Sequence, residues 1–204
     1  MAGRRSAEER KAQIVAQTLR LADEIGPDRL STTDVARAVG ISQPAIFRHF
    51  PTKGALWQAV AEEVLDRLQK NWALAEAGAS DPDARLKALI RAQLGVIESL
   101  PALPSILFSR ELQVDNPALR EVVQGTLGAF QARLVEAIRD SQAACGMRSD
   151  IGAADAAIML TSLVQGVAIR WTLGARRFSL VQEGLRLFDV QMALMRLTRD
   201  TPHD

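Results

Sequence analysis

Tyrosine is absent from this chain of 204 residues, cysteine occurs once and histidine twice. A lone Cys145 excludes an intramolecular disulfide and fits a reducing cytosol. No histidine lies near it in sequence, so it reads as a spare thiol. His49 and His203 form no cluster with metal-ligand spacing, and the chain has neither a phosphate-cradling glycine loop nor a nucleophile elbow. The carboxylates Glu62, Glu63, Asp150 and Asp155 look like solvated faces and helix caps. These absences argue against an enzyme and predict neither metal nor cofactor. No apolar run reaches the length of a membrane span, and Met1 leads into the basic, polar MAGRRSAEERK rather than a secretory signal. The expectation is a cytoplasmic protein.

Strand-like alternation is missing as well. Helical spacing takes its place throughout, in a chain whose 48% hydrophobic content suits a globular core. A first helix is expected from about Ala7 to Ile25, with Ile14, Val15, Thr18, Leu21, Ala22 and Ile25 on one face and Gly26-Pro27 as its end. A fourth runs from a Thr52 cap to about Ala75, on a stripe that includes Leu56, Val60, Val64, Leu68 and Trp72. The turn cluster GASDPD, residues 78 to 83, follows. Further helices are expected at about 84–99, 105–113, 117–144, 153–173 and 180–198, and Pro101 and Pro104 interrupt the series. With the two helices described next, the count is about nine.

Residues 30 to 53, LSTTDVARAVGISQPAIFRHFPTK, are the most informative stretch. They read as two short helices, about Thr33 to Val39 and Gln43 to Phe50, joined by a turn at Gly40. Ser31 and Thr32 are N-cap candidates for the first and Ser42 for the second, where Pro44 falls in the tolerant first turn. Pro51 ends the second helix. Leu30, Val35, Ala36, Val39, Ile41, Ile46 and Phe50 are spaced to close a small core. Gln43, Pro44, Ala45, Phe47, Arg48 and His49 stay outside, a face without acids that suits a DNA major groove. Residues 1–53 carry nine Lys/Arg against six Asp/Glu, and the remainder sixteen against eighteen, an asymmetry that favours nucleic acid only alongside this motif.

The segment resembles the DNA-binding motif of the TetR family of bacterial transcriptional regulators, from about Arg10 to Trp57. Thr32-Thr33, the VARAVGIS turn, Ile46, His49-Phe50 and Lys53 carry the likeness. It implies an all-α protein: a three-helix head with a helix-turn-helix, residues 1–53, and a helical body for ligand binding and dimerisation, residues 54–204. The implied function is a regulator, most simply a repressor, that binds double-stranded DNA at a palindromic operator as a homodimer. Such a protein would be associated with the nucleoid. Positions matching Thr32, Gln43, Pro44, Phe47, His49 and Lys53 commonly touch DNA in the family, while those of Thr33 and Arg48 vary with the operator. Phe47 stands where the family usually has tyrosine, so its ring can pack on the backbone but cannot hydrogen-bond a phosphate.

Side-chain chemistry divides the roles. Gln43 and Arg48 can read base edges, Gln favouring adenine and Arg guanine. Pro44, Ala45 and Phe47 offer apolar contact to thymine methyls or sugar. Thr32, Thr33, His49 and Lys53 are better placed for phosphate, with Thr52 and Lys53 at a helix N-terminus. Bland readings stand beside these: Thr32 as a cap only, His49 packed beneath the first helix, Phe47 half-buried. Arg4, Arg5, Arg10 and Lys11 could follow a flanking minor groove or be a solvated tail.

In the body, the last two helices are apolar on more than one face. Met159, Ser162, Gly166 and Ile169 on one, with Gly184, Leu187 and Leu194 on the other, are the expected dimer surface, since a second stripe needs a second partner. Full enclosure in a monomeric core is the alternative. Family likeness further implies an inducer among the middle helices, with Trp72, Gln93, Leu107, Phe108, Glu111, Phe130, Gln165 and Trp171 as wall candidates. Few aromatics and no tyrosine suggest an apolar or amphipathic effector rather than a sugar. Another reading keeps the DNA-binding head but has the body meet a protein partner.

Overall fold

The computed structural model of the chain describes residues 6–196. Arg4, Arg5, His203 and the end of the last expected helix lie outside the described residues. Ten helices are present among those described: α1 (Ala7–Ile25), α2 (Thr32–Val39), α3 (Gln43–His49), α4 (Lys53–Ala77), α5 (Pro82–Ser99), α6 (Leu103–Phe108), α7 (Arg110–Asp115), α8 (Pro117–Ala143), α9 (Ala153–Leu173) and α10 (Leu180–Met195). The all-α expectation holds, and the count is corrected from nine to ten. The single helix expected over 105–113 breaks at Ser109. That residue takes an extended backbone (φ −70°, ψ 105°), and its hydroxyl accepts from the Leu112 N–H, capping α7. The same hydroxyl donates to Asp28.

Contacts divide the chain into two compact units that do not follow chain order. One comprises the residues up to Arg67 together with Leu100–Thr126, and the other Leu68–Ser99 with the chain from Leu127 onward. The division therefore falls within α4 and within α8.

In the first unit, α1 packs on α2, α3 and α6. Ile14, Leu30, Val35, Ala36, Val39, Ile46 and Phe50 are buried, as their spacing predicts, with Ile41 half-covered. Trp57, which the stripe on α4 left out, is buried beside Leu56 and Val60. Thr18 is enclosed, and its hydroxyl donates to the Ile14 carbonyl one turn back.

In the second unit, α10 packs on α5 and α9. Leu86, Leu89, Ile90, Leu94 and Ile97 supply the α5 side of the core. Glu98 accepts from the Leu180 N–H at 2.7 Å, and Lys87 pairs with Asp189 at 2.8 Å, so both ends of that packing are tied.

One expectation about length is overturned here. α9 spans 21 residues with a mean hydropathy of 1.4 in its most apolar window, long and apolar enough by length and composition to cross a membrane. Its apolar residues are interrupted by Thr161, Ser162 and Gln165, so no single run stands out in the sequence. One face of α9, with Leu160, Val164, Val167 and Trp171, is buried within the unit.

Candidate nucleic-acid interface

α2 owes its start to Ser31, whose hydroxyl accepts from the Asp34 N–H at 3.2 Å while Asp34 accepts from the Ser31 N–H at the same distance. This reciprocal capping box satisfies two backbone donors at once. The S-x-x-D spacing signals it in the sequence, where only the cap was read. The Ser31 hydrogen bonds, followed by the nearby Arg37 charge, hold the Asp34 carboxyl below its ordinary value. Gly40 closes α2 in the left-handed region (φ 74°, ψ 38°), a conformation that costs glycine nothing and turns the chain into α3. Ser42 occupies the N-cap position of α3 but makes no side-chain capping bond, contrary to the sequence reading. Pro44 sits in the first turn.

α3 turns Ile46 fully inward. Gln43, Pro44, Phe47 and Arg48 are exposed, Ala45 and His49 half-covered, and α3 carries no acid. Phe47 is 40% exposed, so its ring is available on the surface. Thr33 and Lys53 are exposed, and Thr52 caps α4 by accepting from the Ala55 N–H at 2.9 Å. Thr32 differs. It is buried, and it accepts a hydrogen bond from the Gln43 amide nitrogen at 2.9 Å. Sequence reasoning treated these two as separate contacts, because a bond across eleven residues leaves no local pattern.

Lys53 also lines a cavity of about 320 Å³ with Asp28, Glu111, Asp115 and Asn116. Glu111, a candidate effector wall, is thus brought together with a candidate phosphate contact instead. Phe108 is half-exposed and Leu107 half-buried on α6. In the second unit, Trp72, Gln93 and Phe130 do meet. The Trp72 and Phe130 rings stack at 5.3 Å, the Trp72 N–H donates to the Gln93 carbonyl oxygen at 2.9 Å, and the Arg133 guanidinium lies 5.7 Å over the Trp72 ring. Glu76 pairs with both Arg133 and Arg85 beside this cluster. Trp171 is buried elsewhere, its N–H donating to the Phe178 carbonyl, and Gln165 is half-buried on α9.

Of the expected dimer residues, Met159, Ser162, Gly166, Ile169 and Leu194 are exposed and Leu187 is half-covered. Gly184 is corrected: it is buried, and a Cβ built there would stand 2.5 Å from Leu94 Cδ1 of the same protomer. Its small size serves the α10–α5 packing. Ile158, Leu173 and Val190, outside that expected set, are exposed as well.

A short helix with an uncharged-to-basic outer face, set by a glycine turn onto a supporting three-helix core, defines a helix-turn-helix DNA-binding regulator. Comparison with known proteins agrees. Residues 14–60 match the profile of the bacterial regulatory proteins of the tetR family, and residues 82–187 match the C-terminal domain of the BetI-type transcriptional repressors. This chain belongs to the TetR family, whose members are DNA-binding regulators and not enzymes. Among relatives, the nucleoid occlusion factor SlmA of Escherichia coli O1:K1 is 28% identical over 166 residues, covering 80% of this chain and 82% of that protein. A transcriptional regulator from Saccharomonospora viridis in complex with choline shares the fold with a TM-score of 0.80 at 20% identity, over 91% of this chain and 96% of its own. A TetR-family regulator from Rhodococcus sp. does so at 0.78 and 21%, over 92% and 98%.

Proposed function

We propose that this regulator is a homodimeric repressor that holds a palindromic operator and is released by a small apolar or amphipathic effector. The observation that carries it is the exposed, acid-free face of α3, where Gln43 and Arg48 stand among Pro44, Ala45 and Phe47. In this reading Gln43 and Arg48 choose bases, and Thr33, His49 and Lys53 hold phosphates. The functional head is residues 1–53, and 54–204 serve ligand binding and dimerisation. Two heads on one dimer read half-sites about one helical turn apart, or a multiple of it. The exposed apolar stripe on α9 and α10 supports dimerisation, and the BetI-type C-terminal match supports repression. A structural neighbour bound to choline is in keeping with a small-molecule effector in the body. Release is a population shift: an effector that favours a head spacing unlike the operator's lowers DNA affinity by its differential binding.

One observation favours a second reading, in which the body recognises a protein. An open trough of about 620 Å³ runs between α4 and α5 over Leu74, Ala75, Ala88, Ala92 and Gly95, with Lys87 and Arg91 on its walls. Leu74 is 73% exposed in it. The nucleoid occlusion relatives are compatible with this alternative.

Selection of bound duplexes from a random pool by the purified protein tests the main reading. An enriched palindrome is the expected result. Salt-sensitive binding with no enriched sequence would sink a specific repressor and leave non-specific DNA association. Thermal shifts against a small-molecule panel then separate effector from protein partner.

A further inference from the structure

We propose that Thr32 acts as a positioning residue for Gln43 rather than as a phosphate contact. The inference rests on the proposed base-reading role of α3 and assigns a new part to a residue whose family likeness points to DNA. Thr32 opens α2 but faces inward: it is 9% exposed and borders a small cleft with Thr18, Leu30, Leu56 and Trp57. Capping of α2 is done by Ser31, so the Thr32 hydroxyl is not needed for that. What it does instead is accept from the Gln43 amide nitrogen at 2.9 Å. Exposed donors that a phosphate could reach, Thr33 and Lys53, stand on the same motif.

The chemistry of adenine recognition explains the use of such a bond. A glutamine reads adenine only when one amide hydrogen and the amide oxygen both lie in the base plane, opposite N7 and N6. Gln43 is exposed and, unanchored, would sample many rotamers. Donating one amide hydrogen to Thr32 orients the amide and leaves one hydrogen and the oxygen, the complete pair that the base requires. Gly40 sets the turn that brings residue 32 and residue 43 together, so α2 and α3 present the side chain already arranged.

Thr32→Val removes the hydroxyl with little change of shape, and Thr32→Ser keeps it. Both, with Gln43→Ala, are to be titrated against the duplex that the wild-type protein selects and its single-base-pair variants, over a range of salt. Expected for Thr32→Val is a loss of about tenfold discrimination at the base pair that Gln43→Ala also relaxes, with other positions and the salt slope unchanged. Thr32→Ser should retain both. A loss of affinity of about tenfold that is equal for the selected duplex and all its variants, with every base preference intact, would overturn the proposal and make Thr32 a phosphate contact. If Gln43→Ala relaxes no position, the base-reading role of Gln43 fails instead, a separate outcome. Should Thr32→Val not fold, exchange of the Gln43 side-chain amide protons in the wild-type protein decides. Slowed exchange supports the bond, and exchange as fast as in a free glutamine refutes it.

Discussion

At the scale of single residues, the α3 face separates choosing from holding. Arg48 is exposed on α3, where a guanidinium can pair bidentately with guanine. Arg48→Ala should relax one base-pair position in each half-site by about 1–3 kcal/mol. Lys53 stands at the first position of α4, a helix N-terminus that favours anions. Lys53→Ala should weaken all sequences alike and lower the salt slope by about 0.9 per protomer. Titrations of the selected duplex and its variants check both, and a reversal of the two patterns would show the division of roles to be wrong. Phe47 allows a gain. Its ring is surface-accessible, so Phe47→Tyr should add a phosphate hydrogen bond and tighten binding by about 1 kcal/mol, without changing sequence preference.

At the scale of elements, caps and close packing decide stability. Ser31→Ala removes half of the α2 capping box and should cost about 1 kcal/mol of unfolding free energy at neutral pH. The pH dependence follows from Asp34, whose carboxyl is held below its ordinary 3.8 by the Ser31 hydrogen bonds and Arg37. A depressed carboxyl contributes stability that is present above the unfolded value and is lost as pH falls through the lower folded value. The gap between wild type and Ser31→Ala should therefore narrow below about pH 3.8. Denaturant titrations across that range measure it. A gap that widens in acid would contradict the assignment. On α10, Gly184→Val places atoms where Leu94 already is, and should destabilise the protein by about 1–3 kcal/mol.

The whole-molecule question is association. Ile158, Met159, Ile169 and Leu173 on α9, with Val190 and Leu194 on α10, form the exposed apolar surface that the proposed dimer would cover. Gly166 has nothing within 4 Å of a built Cβ, so its open side is free for close approach by another chain. The double substitution Met159→Glu/Ile169→Glu should convert a dimer into a helical monomer in sedimentation and reduce binding to a palindrome to that of a single head. A wild-type monomer, or an unaffected dimer in the double variant, would return these helices to the role of a core element with an apolar outer face.

Periodicity and local chemistry determined a great deal without coordinates. The all-α class, the helix spans to within a few residues, the Gly40 turn and the inward set Val35, Val39, Ile46 and Phe50 all follow from spacing and backbone preference, which act over a few residues. So does the acid-free outer face of α3. Tertiary structure alone decided the rest, because each remaining feature joins residues distant in sequence. Ser109 breaks a helix while bonding Asp28, 81 residues away. Gly184 looked like an interface glycine until Leu94 on another helix was found against it. Trp72, Gln93 and Phe130 satisfy one another across three helices, and Thr32 turned from a surface threonine into the partner of Gln43. A helical pattern says which side of a helix is apolar. Which neighbour meets that side, and which polar group is already engaged, is set only when the packed elements fix distances between them.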